Sequence, residues 1–373
     1  MIEALVAATA LLPDGPASPG VILVEDGMVV AAGARGAVTI PTGASVRDFG
    51  DTIMAPGMID LHVHGGAGHD FMSADSAALA AVRRHLARHG VTRFLATTVS
   101  APWDATLAAV ERLSSAGLSL HLEGPFLSPA RRGVHPVTDL LLPTLEKLDQ
   151  LWEASAGHIA LITVAPELAG APEFIAAASA RGIALSMGHS DADWRASEAG
   201  QAAGARSITH TFNAMPPLDH RSPGLLGFAL SRRDLYAEII ADGIHVAPEM
   251  VDVFLRAKGR DRALLVSDGI SATGCGDGRF RLGPIEVDVA GDACRSDGRL
   301  AGSVLTLDQA VRNVMRFAGW PLADALQLAT ANPARLLGSA HHGRLAPGAA
   351  ADCVVLTSEA NIVATLIAGR QVD

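Results

Sequence analysis

Between Met58 and Gly269 the chain repeats one alternation: a short apolar, β-rich run, then a stretch with helical spacing. Eight such runs can be read: MIDLHVHG, TRFLATTV, LSLHLEG, IALITVAPE, GIALSMGHS, SITHTFNAM, LYAEIIADGIHV and ALLVSDG. Strands separated by helices pair in parallel, and eight of them close into a (β/α)8 barrel. The intervening stretches support this. Ser76–His89 sets Leu79, Val82 and Leu86 on one helical face, and a second helix is expected near Trp103–Ser115. A doubly wound open sheet is the other arrangement of such units. No GxGxxG fingerprint opens a strand–helix turn here.

The two ends read differently. In VILVEDGMVVAAG two apolar runs flank Asp26-Gly27, a hairpin signal. The tail GRLAPGAAADCVVLTSEANIVATLIAGRQVD again reads as short strands. Neither end is long enough to bury a sheet alone. The expectation is a small β-sandwich domain built from residues 1–55 together with 343–373, flanking a barrel of residues 56–342. The fold class is therefore α/β, a TIM-like barrel with a β domain made from the two termini.

Composition narrows the chemistry. A net charge of −10 argues against a nucleic-acid footprint, so an anionic substrate would need a local cluster of donors. Three cysteines, Cys275, Cys294 and Cys353, form no disulfide framework or zinc finger and suit a reducing cytoplasm. The apolar start carries Glu3 and lacks a basic segment, so no signal peptide is expected. No apolar run is long enough to span a bilayer.

Chemistry in a barrel collects at the carboxyl ends of its strands. Those ends carry His62 and His64, then Glu123, His189, His210, His245 and Asp268. His62 and His64 are two apart on an extended segment, so they point the same way. Buried charges are costly without a partner, and a metal is the one partner that satisfies several together. Imidazole and carboxylate suit zinc, iron or manganese. Asp268 fits a proton carrier beside activated water, although ligation or capping of its SDG turn are compatible roles. His121, two residues before Glu123, can share its face but is not expected to be a ligand. His69, His85, His89, His158, His220, His341 and His342 read as surface or loop residues.

Taken in order, HLEGPFLSPARRGVHP, GHS, THTFNAMPPLDHRSPGLLG, ADGIHV, LVSDGISATG and LAGSVLTLDQAVRN resemble the amidohydrolase superfamily, and within it the N-acetylglucosamine-6-phosphate deacetylase family. The resemblance spans essentially the whole chain. It implies hydrolysis of N-acetylglucosamine 6-phosphate to glucosamine 6-phosphate and acetate, with hydroxide on a divalent metal as nucleophile and Asp268 as acid/base. Glu123, His189 and His210 match the main metal ligands, and His62 and His64 match a pair found in two-metal members, so one or two ions are implied. His135, with Val134 beside it, matches a residue that polarises the acetyl carbonyl. His245 matches a sugar-binding residue, and Asn213 and Ala214 the phosphate contact. Arg221 matches a phosphate-binding residue from the neighbouring subunit of a homodimer, and Leu300, Ala301, Gly302 and Ser303 a loop lining the sugar site. The galactosamine epimer is an alternative substrate, and a cyclic amide a more distant one. No lysine stands at a strand end to form the carboxylated bridge of cyclic-amide hydrolases. Residues 270–299 read as a hairpin-bearing excursion suited to a lid, or as a plain insertion.

Overall fold

The computed structural model describes residues 2–372. Six parallel strands form one continuous sheet in chain order: Met58–Val63, Val91–Thr98, Leu120–Glu123, Ile159–Val164, Ala184–Met187 and Ser207–Ile208. A seventh, Ala237–Ile239, pairs in parallel with an eighth, Ala263–Leu265. Main-chain bonds join the two sets. Ile208 N–H donates to Tyr236 O at 3.1 Å and Thr211 N–H to Glu238 O at 2.8 Å. The ring then closes through Asp268 N–H to His62 O at 2.8 Å and His64 N–H to Gly269 O at 2.7 Å. A closed sheet leaves no unpaired edge. At the opposite end, Leu328 O and Ala329 O accept from Leu265 and Ile59 and fill the gap between last and first strands.

Each strand is followed by a helix: Ser76–Arg88, Trp103–Ser115, Leu145–Ser155, Ala171–Ala180, Trp194–Ala203, Gly224–Ser231, Pro248–Lys258 and Leu307–Ala318. The first shows why. Asp75 Oδ1 caps the N–H of Ala78 at 2.9 Å, and Leu79, Val82 and Leu86 are buried at i, i+3 and i+7. Asp193 and Thr144 cap two others in the same way.

The chain ends build two further sheets. Gly20–Glu25 and Met28–Ala34 form a hairpin through Asp26 and Gly27, whose φ values of 50° and 77° are those of a type I′ turn. In the other sheet Cys353–Leu356 runs antiparallel to Ile53–Pro56, so the C-terminal segment pairs directly with the strand that precedes the barrel. Leu5, Ile22 and Val24 of one sheet pack with Met54, Val355 and Leu366 of the other in a shared core.

Residues 278–300 form a four-stranded antiparallel meander between Asp268 and the eighth helix. Ile285, Val287 and Val289 alternate inward and pack on Val99, Ile270 and Leu282. Asp70 Oδ2, beyond the first strand, accepts from Gly283 N–H at 2.8 Å and ties the meander to the barrel rim.

His121 stands outside the ligand groups, as expected, and two other histidines depart from the expectation. His121 is a core residue: its ring nitrogens meet Leu61 O at 3.0 Å and Thr163 Oγ1 at 2.8 Å. His85 and His89 are half-buried on the inner side of the first helix, because that helix packs on the loops after the first and eighth strands. His89 caps the helix and its Nδ1 faces Asp308 Oδ1 at 3.1 Å, while Arg312 donates to Asp308 Oδ2 at 2.9 Å. First and eighth helices are thereby pinned together where the ring closes.

Burial would raise the Asp308 carboxyl, but the His89 bond and its other partners outweigh it and bring it from 3.8 to about 2. A carboxyl depressed in the fold stabilises above its unfolded value and loses that contribution as pH falls through the folded value. Asp308→Asn should therefore lower urea-unfolding stability at pH 7 by about 1–2 kcal/mol. The deficit should shrink between pH 4 and about 2. A pH-independent deficit would contradict this.

Candidate active site

Ring closure brings six side chains from five of the eight strand ends to one point at the barrel mouth. His62 sits within the first strand and His64 one residue past it, Glu123 ends the third, and His189, His210 and Asp268 follow the fifth, sixth and eighth. Glu123 lies at their centre. Its Oε1 is 3.0 Å from His189 Nε2, 2.9 Å from His210 Nε2 and 3.4 Å from His62 Nε2. Its Oε2 is 3.2 Å from His64 Nε2 and 3.5 Å from His135 Nε2. Asp268 Oδ1 is 3.5 Å from His62 Nε2 and 3.2 Å from His64 Nε2. All of these residues are buried.

The backbone bends sharply to achieve this. His189, His210, Ala214 and Asp268 have φ of 47°, 23°, 52° and 51°, the left-handed region that non-glycine residues seldom occupy. Such strain is held only where surrounding structure imposes it. For Asp268 the imposing bonds are its N–H to His62 O and its own carbonyl accepting from Ser303 N–H, both 2.8 Å. Gly302 sits against this turn at φ 59°. A Cβ there would fall 2.3 Å from Ile270 Cγ2 and 3.0 Å from Asp268 O.

Hydrogen bonds set the imidazole tautomers. His189 Nδ1 donates to Arg131 O at 3.0 Å, so in the neutral ring Nε2 carries a lone pair. That lone pair points at a carboxylate oxygen and at a second imidazole nitrogen, His210 Nε2, 3.1 Å away. His62 Nδ1 faces Glu238 Oε2 at 3.3 Å, which again turns its Nε2 toward carboxylates and toward His64 Nε2 at 3.2 Å. Lone pairs aimed at one another and at anions repel unless a proton or cation lies between them. Burial alone would lower His62, but Glu123 and Asp268 carry it well above the usual imidazole range; the same contest lifts His64 to about 9. Burial dominates at His189 and brings it to about 4. Burial also opposes ionisation of Glu123 and Asp268, yet the surrounding imidazoles hold both carboxyls below their ordinary values. The cluster is a sink for positive charge, and its donors fit divalent zinc, iron or manganese. They fall into two groups, Glu123 with His189 and His210, and His62 with His64 and Asp268, the candidate ligand atoms of each within 4.8 Å of one another.

His135 has the opposite tautomer. Its Nδ1 accepts from the Ser100 backbone N–H at 3.2 Å, so Nε2 carries the proton and faces the cluster. His245 Nδ1 lies 2.6 Å from Asp242 Oδ2, and this partner overrides the effect of burial and raises the imidazole above its ordinary value.

A cavity of about 180 Å3 opens above the cluster. Of the residues singled out by sequence, it is lined by His64, Glu123, Val134, His135, His189, His210, Asn213, Ala214, His245, Asp268, Leu300 and Gly302. Four others stand elsewhere. His62 is sealed beneath the cavity floor. Ala301 packs into the meander's core. Ser303 turns its hydroxyl to Ser267 O at 2.6 Å. Arg221 is exposed on a turn held by Asp219 Oδ1, outside the cavity of its own chain. Sequence reading missed Gly133 and Leu282, which also line the cavity, and the partners Ser100, Asp242 and Glu238. For Glu238 a signal existed: one carboxylate inside the apolar run LYAEIIA.

Residues 53–372 match the model of the Amidohydrolase family. The chain is 38 % identical over 340 residues to N-acetylglucosamine-6-phosphate deacetylase of Vibrio furnissii, covering 88 % of this chain and 85 % of that one. It is 35 % identical over 342 residues to N-acetylgalactosamine-6-phosphate deacetylase of Escherichia coli, covering 89 % and 90 %. A solved point mutant of the Mycobacterium smegmatis N-acetyl-D-glucosamine-6-phosphate deacetylase, in complex with N-acetyl-D-glucosamine-6-phosphate, superposes with a TM-score of 0.94 at 34 % identity over 100 % of this chain and 99 % of that one. With a closed barrel, a buried imidazole–carboxylate cluster at its mouth and a family match over most of its length, the chain belongs to the amidohydrolase family.

Proposed function

We propose that this chain is a hydrolytic enzyme that removes the acetyl group of N-acetylglucosamine 6-phosphate, taking up water and releasing acetate and glucosamine 6-phosphate. The observation that carries this reading is the packing of Glu123, His189 and His210 against one another in the cavity that Asp268 also lines. Relatives of that activity at more than a third identity support the substrate.

Glu123, His189 and His210 would hold a divalent zinc, iron or manganese ion, and His62, His64 and Asp268 form the set for a second. When bound, such an ion polarises the acetyl carbonyl and acidifies water. Asp268, kept ionised by its imidazole neighbours, accepts the proton of the attacking water and delivers it to the departing nitrogen. His135 Nε2–H, fixed in direction by Ser100, donates to the carbonyl oxygen as negative charge grows there. His245, held by Asp242, binds a sugar hydroxyl. Asn213 and Ala214 receive the phosphate together with Arg221 of a neighbouring copy, whose guanidinium suits a phosphate's paired oxygens. This role explains an exposed Arg221 and makes the active form a homodimer. Val134, Leu300 and Gly302 line the sugar pocket, and Ala301 and Ser303 support that loop from behind. Residues 270–299 cover one side of it through Leu282. The working body is the barrel, residues 56–342, with residues 1–55 and 343–373 forming the small β domain. A reducing cytoplasm suits the free thiols Cys275, Cys294 and Cys353. Among the described residues no helix is long and apolar enough to cross a membrane.

Purified protein should release acetate and amine in equal amounts from N-acetylglucosamine 6-phosphate. Its kcat/KM on the galactosamine epimer should be at least about tenfold lower, since a site built to bond one hydroxyl rejects its misplaced counterpart. Chelation should abolish turnover and metal should restore it; full activity in demetallated protein sinks the reading.

Asp268→Asn should lower kcat by about 10³-fold with substrate binding retained in calorimetry. Normal turnover removes Asp268 from the proton-transfer role.

Arg221→Ala should raise KM at least about tenfold with a smaller change in kcat. An active wild-type monomer in sedimentation would contradict the shared phosphate site.

A further inference from the structure

We infer that Glu238, a buried carboxylate on the seventh strand, is the positioning residue that equips His62 to hold a cation and so makes the His62, His64 and Asp268 group a working second site. The inference rests on the reading of the cluster as a cation centre.

Glu238 alternates inward between Ala237 and Ile239 and has no exposed surface. A carboxylate in such a place demands a partner. Among the described residues its one ion-pair partner is His62, Nδ1 to Oε2 at 3.3 Å. The same Oε2 accepts from the His210 backbone N–H at 3.2 Å, while Oε1 has no hydrogen-bond partner. Among the described residues no other charged side chain pairs with it, and on the far side of that imidazole Nε2 faces the cluster. The bond fixes His62 as the tautomer whose Nε2 lone pair enters the cluster, and a carboxylate behind an imidazole raises its basicity as a ligand.

His62 needs this more than its neighbours do. His189 is oriented by Arg131 O, a neutral carbonyl. His64 Nδ1 and His210 Nδ1 have no partner at all. Within the first-strand pair only His62 has a charged group behind it. His62 is also wholly buried and makes an edge-on contact with His121, 4.5 Å between ring centroids. In this enclosed ring Nδ1 is satisfied where it lies, by Glu238.

A merely structural role for Glu238 would be to receive the His210 N–H. Glu238→Gln separates the two, because the amide oxygen still accepts that bond while the charge is removed. Equilibrium dialysis of the demetallated protein against graded free zinc, with metal content measured per chain, supplies the readout, and melting of the metal-free proteins reports on the fold. Wild type should take two ions. Glu238→Gln should bind one of them about 10–100-fold more weakly and the other within about threefold. His64→Asn, made in parallel, should weaken the same ion. Glu238→Ala should show the larger loss, and if it fails to fold the glutamine variant decides alone. Unchanged zinc binding, equal weakening of both ions, or a single ion per wild-type chain would each overturn the inference. Two ions bound by a protein that leaves the sugar phosphate intact would sink the activity and spare the inference. An active deacetylase with one ion per chain would do the reverse.

Discussion

The structure depends on one crowded carboxylate. Glu123 is buried at the barrel mouth with five imidazole nitrogens within 3.5 Å of its two oxygens. A lone ionised carboxylate in that position would be prohibitively costly. It is tolerable only because ring closure delivers compensating groups from strands far apart in the chain. The parallel bonds that join the eighth strand to the first are the same bonds that seat Asp268 over His62. Closing the sheet and assembling the site are one event.

The supporting structure follows from this. His89, Asp308 and Arg312 fasten the helices on either side of the closure. The left-handed turns at His189, His210 and Asp268 are held by Ser128 N–H to His189 O, His210 N–H to Glu238 Oε2 and Asp268 N–H to His62 O. The meander after Asp268 brings Leu282 and Leu300 over the cavity and is anchored by Asp70. The strands from the two termini pair with each other just outside the first barrel strand, at Ile53–Pro56.

Much of this was legible in the chain. The alternation of apolar run and helical stretch announced a parallel ring, and the strand-end rule then marked His62, His64, Glu123, His189, His210 and Asp268, which converge. The hairpin at Asp26-Gly27 was written in its turn residues. What was not legible depended on distance or direction in space. Ser100 and Asp242 act through bonds to His135 and His245 that no spacing rule reveals. Glu238 looked like an interruption in an apolar strand, although a carboxylate inside a barrel strand must answer some charge. Ser303 shares a loop with Gly302 yet faces the scaffold, because side-chain direction in an irregular loop follows from packing. His85 and His89 were read as surface residues because helical periodicity reports only the dominant apolar face.

The most direct test of the central claim is anomalous diffraction from crystals of the Asp268→Asn variant grown with zinc and N-acetylglucosamine 6-phosphate. The account predicts a strong peak about 2.0–2.2 Å from a Glu123 oxygen and from the Nε2 atoms of His189 and His210, the normal range for zinc with oxygen and nitrogen ligands. The acetyl group should lie beside it, under His135. Zinc bound elsewhere, or these three side chains bonded only to one another with sugar phosphate in the cavity, would contradict it.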